Sequence, residues 1–128
     1  MALVEYIWMD GAEPTPALRS KMRFVNLEGK HPEPQDLPEW GFDGSSTNQA
    51  EGSDSDCVLV PVCVVKDPIR GSGNFLAMCE VLNDKNEPHP TNSRAKLRAV
   101  LSAGAAAQDP WAGFEQEYTL FKDGRPLG

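Results

Sequence analysis

The sequence predicts an α+β fold, and two observations carry that prediction. Short β-patterned runs punctuated by Gly, Pro, Asn and Asp occupy the first 88 residues. After the Pro-His-Pro connector at 88–90 the pattern changes to one amphipathic helix followed by a further strand.

The first run, residues 3–9 (LVEYIWM), and the second, 21–27 (KMRFVNL), are rich in β-branched, aromatic and aliphatic side chains. Residues 56–66 (DCVLVPVCVVK) and 75–82 (FLAMCEVL) supply two more strands, and a mixed or antiparallel sheet is expected. Pro61 interrupts the third run and predicts an edge position or a bulge, because proline cannot donate to a ladder. RGSGNF, 70–75, reads as a short glycine turn.

Between the second and third runs lies a segment, 28–55, rich in Gly, Pro, Ser, Asp and Asn with no sustained apolar period. Loops of this length in small domains are usually functional or disordered. Within it, LPEWGFDGSST gathers Trp40, Phe42, Asp43, Ser45 and Ser46. The aromatic pair can anchor the loop while Asp43 and the serines stay presented at its tip. Taken alone, Asp43-Gly44 followed by two serines is also ordinary turn chemistry.

Residues 91–107 (TNSRAKLRAVLSAGAAA) read as a helix with Thr91 or Asn92 as N-cap, an apolar stripe of Leu97, Val100 and Leu101, and an end weakened by Gly104. Residues 113–122 (GFEQEYTLFK) then read as a strand closed by a turn at Asp123 and Gly124. Alternation along that strand points Glu115 and Glu117 the same way. Two like charges on one wall suit a hard divalent cation such as Mg2+ or Mn2+; a strand with two solvent-facing glutamates is the other reading. The shift in composition puts a boundary at residues 87–90, dividing the chain into 1–88 and 89–128.

The 128 residues carry a net charge of -7, and their 12 Lys and Arg are scattered, which argues against nucleic acid or an anionic membrane as partner. Cys57, Cys63 and Cys79 form no C-x-x-C pair and lie in apolar runs, so reduced thiols and a cytoplasmic chain are expected. The opening MALVEYIWMDG carries Glu5 and Asp10 and lacks the basic start of a signal peptide. His31 and His89 have no partner at a triad or metal spacing, and neither a P-loop nor a G-x-G-x-x-G turn is present.

In order, the stretches EYIWMDG, LPEWGFDGSSTNQAEGSDSD, VPVCVVKDPIR, MCEV, PHPTNSRAKLR, PWAGFEQEYTLF and GRPLG resemble the N-terminal portion of glutamine synthetases, specifically the type II, eukaryotic-like form. The resemblance implies a β-grasp domain over 1–88 and the beginning of a catalytic α/β domain over 89–128. It implies Mg2+ or Mn2+ on Glu115 and Glu117, with Glu115 also near the phosphates of ATP. It implies that Asp43 reaches a neighbouring subunit's site, binds ammonium and helps deprotonate it, with Ser46 and Trp40 supporting the loop. Glutamate, ammonia and ATP are the implied substrates, and a double-ring homo-oligomer the implied assembly. The family's remaining metal ligands, glutamate-binding segment and ATP-binding arginines have no counterpart before Gly128, so the chain alone is expected to be inactive. A stand-alone, non-catalytic β-grasp module that associates with full-length subunits or another protein is the alternative.

Overall fold

The computed structural model describes residues 1–71 and 73–127; Ser72, inside the expected 70–75 turn, and Gly128 lie outside the described residues. Five strands form one sheet: β1 (Ala2–Met9), β2 (Leu18–Val25), β3 (Trp40–Asp43), β4 (Asp56–Lys66) and β5 (Phe75–Leu82), in the order β2-β1-β5-β4-β3. Only β1 and β5 run parallel; the other neighbours are antiparallel, so the sheet is mixed.

Alternation along the strands builds the core. Val4, Tyr6 and Trp8 of β1, Ala77, Cys79 and Val81 of β5, and Cys57 and Leu59 of β4 are buried on one face, where Leu27 and Leu37 close over them. Burying a side chain such as Val4 or Leu59 contributes roughly 1.5–3 kcal/mol, so this face dominates the stability of the unit. The Cys79 thiol is pushed up to about 12 by burial, which keeps it an uncharged member of the core. Cys57 is likewise buried, whereas Cys63 is exposed.

The sheet curls strongly enough that its edges meet. Tyr6 on β1 lies edge-on to Trp40 on β3 at 5.4 Å between ring centres, and Trp8 packs on Phe42 at 4.9 Å. Lys21 of edge strand β2 donates to the Gly41 carbonyl of the opposite edge strand at 2.6 Å and sits 3.8 Å from the Trp40 ring centre. Burial under these contacts, with Arg23 nearby, holds the Lys21 ammonium below its usual pKa.

Pro61 does mark a bulge, with the β4–β5 register shifting between Pro61 and Cys63. It is tolerated in an interior strand because β3 pairs only with Asp56–Leu59. The segment 28–55 is more ordered than its composition suggests, holding β3 and 3-10 turns at Pro34–Asp36 and Gly44–Thr47.

Helix α1 (Ser93–Ser102) is capped by Asn92, whose side chain accepts from the Ala95 N–H at 3.0 Å and donates to the Val81 carbonyl at 3.1 Å. Buried Glu80 faces Arg98 at 3.1 Å and Arg94 at 3.8 Å, which ties the helix to β5. Its stripe is uncovered: Leu97 and Val100 are exposed and Leu101 half-buried.

The strand expected over 113–122 is not formed. Only β6 (Phe121–Lys122) is strand, paired with β7 (Arg125–Pro126) around the expected Asp123-Gly124 turn, and residues 113–120 carry no regular structure. A strand is stabilised by a neighbour and a covered face, and the described residues give this stretch neither. No described helix is long and apolar enough to cross a membrane.

Candidate functional site

Asp43 ends β3 and caps the Gly44–Thr47 turn, so its side chain stands exposed at the end of an edge strand. Its Oδ1 accepts from the Ser45 N–H at 2.9 Å. Hydrogen bonds from the side chain and then the backbone of Ser45 hold the carboxyl below the usual range, so it is a carboxylate at neutral pH. Ser46 donates its hydroxyl to the Asp43 carbonyl at 3.1 Å. Trp40 and Phe42, half-buried on Tyr6 and Trp8, anchor the strand that delivers Asp43.

The turn is fixed from below by close packing. A Cβ on Gly44 would lie 2.7 Å from Cys57 Sγ and 3.0 Å from Ala50 Cβ, while the Gly44 N–H donates to the Ser55 carbonyl at 2.7 Å. It is fixed from the side by the end of β1, where the Gly11 N–H donates to the Thr47 carbonyl at 2.9 Å. A Cβ on Gly11 would overlap the Asn48 carbonyl oxygen.

Asp10 orders that corner. Its buried carboxylate accepts from the N–H groups of Ala12 (3.0 Å) and Ala17 (2.8 Å) and from Arg19 Nε (2.9 Å). The Ala17 and Ala12 hydrogen bonds, then Arg19, hold its carboxyl below the usual range.

Beside Asp43 lies an open depression of about 350 Å³ lined by Trp8, Arg19, Lys21, Phe42, Ser46 and Thr47 among others. Cationic and hydroxyl donors therefore share this surface with the Asp43 carboxylate. Gly11, Thr47 and Gln49 were not singled out from the sequence, and Asp10 and Gly44 were noted without a role in the site; the signal is the Asp-Gly pair at 10–11 and 43–44, as at 123–124, which marks turns without showing that the first two touch.

Glu115 and Glu117 sit on the irregular stretch 113–120 and are both exposed. The described residues do not gather Asp43, Glu115 and Glu117 into one cluster, and hold no group of three His, Cys, Asp or Glu able to bind a metal ion. The two glutamates offer the hard oxygen donors that Mg2+ or Mn2+ prefers, and the rest of a coordination sphere would have to come from elsewhere.

Comparison with known proteins places this geometry in a family context. The family described as "Glutamine synthetase, beta-Grasp domain" matches residues 1–84. A glutamine synthetase of Streptomyces viridochromogenes is 56% identical over 97% of the chain, one of Frankia alni is 56% identical over 97%, and the root isozyme 3 of Zea mays is 46% identical over 98%. The chain spans about a third of these relatives, covering 35%, 33% and 35% of their lengths.

Proposed function

Because this chain belongs to the glutamine synthetase family, we propose that it is the N-terminal segment of a type II, eukaryotic-like glutamine synthetase that joins ammonia to glutamate at the expense of ATP. The subtype rests on the sequence resemblance, and relatives range from bacterial enzymes at 56% and 52% identity to plant enzymes at 46% and 45%. Residues 1–88 are the β-grasp domain and 89–128 open the catalytic domain. Relatives align across the β-grasp unit and on past residue 84, which favours this reading over a stand-alone module. The free thiols of Cys57, Cys63 and Cys79 are consistent with a reducing, cytoplasmic setting.

The reaction proceeds by transfer of the ATP γ-phosphoryl group to the glutamate γ-carboxylate, then attack of ammonia on that acyl phosphate with phosphate leaving. Asp43 attracts ammonium and takes its proton as the nucleophile forms. Glu115 and Glu117 are the residues that would hold Mg2+ or Mn2+, Glu115 on the ATP side. Such an ion would supply charge neutralisation for the phosphoryl group in transfer.

The observation that carries the proposal is the built position of Asp43, an ionised carboxylate at the end of an edge strand, held by Ser45 and by the packed Gly44 turn but facing outward. A group so fixed and so exposed suits a role in a neighbour's site, shared between subunits of a ring.

Complementation tests this in full-length subunits carrying the segment. Asp43→Asn and Glu117→Ala homo-oligomers are each expected to be strongly impaired, the first in ammonia use and the second in metal binding. Mixed rings should regain activity, because some interfaces pair an intact Asp43 with intact Glu115 and Glu117. Mixed rings verified by mass spectrometry and no more active than either parent would refute the shared site.

A further inference from the structure

We propose that Gln49 is a positioning residue for Asp43, registering the Asp43 turn against both the end of β1 and the first residues of the segment that leads to Glu115 and Glu117. The inference rests on the role proposed for Asp43.

Gln49 is buried, and its side-chain amide is used at every position that matters. Nε2 donates to the Met9 carbonyl at 3.2 Å and to Thr91 Oγ1 at 2.9 Å, and Oε1 accepts from Thr47 Oγ1 at 2.9 Å. The orientation is dictated, because a carbonyl such as that of Met9 can only accept, so the nitrogen faces β1 and the oxygen faces the turn. Thr47 also has the Gly44 carbonyl within reach of its hydroxyl, at 3.1 Å, and Gly44 is the residue next to Asp43. On the other side Thr91, having accepted from Gln49, can donate its own proton to His89 Nδ1 at 2.8 Å.

One side chain thus joins three parts of the chain that are 40 or more positions apart in sequence, 9 with 49 and 49 with 91. The backbone N–H of Gln49 closes the same turn on the Gly44 carbonyl at 2.9 Å. A local turn needs none of the long-range bonds, since Asp43, Ser45 and Ser46 complete it among themselves. What the side chain adds is register, fixing where the turn sits relative to residue 91 and hence to the following segment. Such a network, satisfied at the buried Gln49 amide and partly buried beyond it, favours one arrangement.

Two experiments test the proposal. In the 128-residue chain, Thr91→Val removes the acceptor on the far side of Gln49. The amide signals of residues 44–49 should shift and exchange several-fold faster, while Thr91→Ser, which keeps the hydroxyl, should leave them in place. Unmoved signals in Thr91→Val overturn the coupling.

In full-length subunits, Gln49→Ala should raise the KM for ammonia about tenfold, the scale of one lost buried hydrogen-bonding group, with the KM for ATP and kcat little changed. Thr91→Val should do the same more weakly, Thr91→Ser should restore the parent value, and Gln49→Ala with Thr91→Val should be less than additive. Should Gln49→Ala not fold, Thr91→Val carries the test alone. Equal rises in KM for ammonia and ATP, or no rise for ammonia in an enzyme where Asp43→Asn does raise it, overturn the proposal alone. An Asp43→Asn enzyme with unchanged ammonia use overturns the reading beneath it.

Discussion

Gly11→Ala places the heaviest expected burden on the corner that holds the Asp43 turn. The added methyl would overlap the Asn48 carbonyl oxygen, lie 2.8 Å from the Asn48 carbonyl carbon and 3.2 Å from Gln49 Cγ. Two of those three atoms are backbone, so no side-chain rotation relieves the overlap. The strand end and the turn must separate, which stretches or breaks the bond from the Gly11 N–H to the Thr47 carbonyl. Overpacking contributes about 1–3 kcal/mol and the lost hydrogen bond about 1 kcal/mol more, giving roughly 2–4 kcal/mol in total. Gly52→Ala is the matched control, because its methyl would meet nothing within 4 Å. Urea denaturation followed by tryptophan fluorescence reads both variants, since Trp8 lies three residues from Gly11 and Trp40 at the start of β3. Gly11→Ala unfolding within about 0.5 kcal/mol of Gly52→Ala, the ordinary range of neutral surface changes, would refute the close approach.

The remaining predictions concern acid and mobility. Asp10 has its folded pKa held below the unfolded value of about 3.9, so its contribution is fully present above that pH and is lost as pH falls through the folded value. Asp10→Asn should therefore be less stable than the parent at pH 7, and the gap should narrow below about pH 4; a constant gap from pH 7 to pH 2 would count against the assignment. In the isolated chain, amides of residues 109–120 should exchange far faster than those of β1, β4 and β5, because they are exposed and lack ladder partners. Equal protection in a strict monomer would contradict this.

What could be read from the sequence was what each segment can do by itself. The long apolar runs gave β1, β4 and β5 nearly to the residue, and Asn92 and Leu97 marked the helix. Pro61 announced its bulge because a missing N–H has one local consequence. Trp40 and Phe42 were legible as anchors, but β3 itself was not, since four residues (WGFD) within a polar loop offer too little alternation to declare a strand. Its existence depends on β4 lying alongside, and the curl that brings Lys21 to Gly41 depends on all five strands together. Gln49 and Gly11 were invisible for the same reason, as their long-range partners, Met9 and Thr47, are 40 and 36 residues away. The stretch 113–120 erred the other way: Phe114, Tyr118 and Leu120 give a strand-like pattern, yet all are exposed where no neighbour receives them.

The two halves of the proposed site are thus prepared to different degrees by this chain. Asp43 is finished: its ionisation is set by Ser45, its strand is pinned by Trp40 and Phe42, and its turn is wedged between Cys57 and Gly11. Glu115 and Glu117 are unfinished, with neither a ladder nor a ligand cluster around them among the described residues. The fixed position of Asp43 suits the shared site proposed above. A group donated across an interface meets its substrate only after assembly, and any freedom it kept would have to be frozen at that moment, weakening both association and positioning. A group on the receiving side can be ordered by the domain around it as that domain folds. Rigidity belongs on the donating loop, and the buried contacts of Asp10, Gly11, Gly44 and Gln49 are where the sequence supplies it.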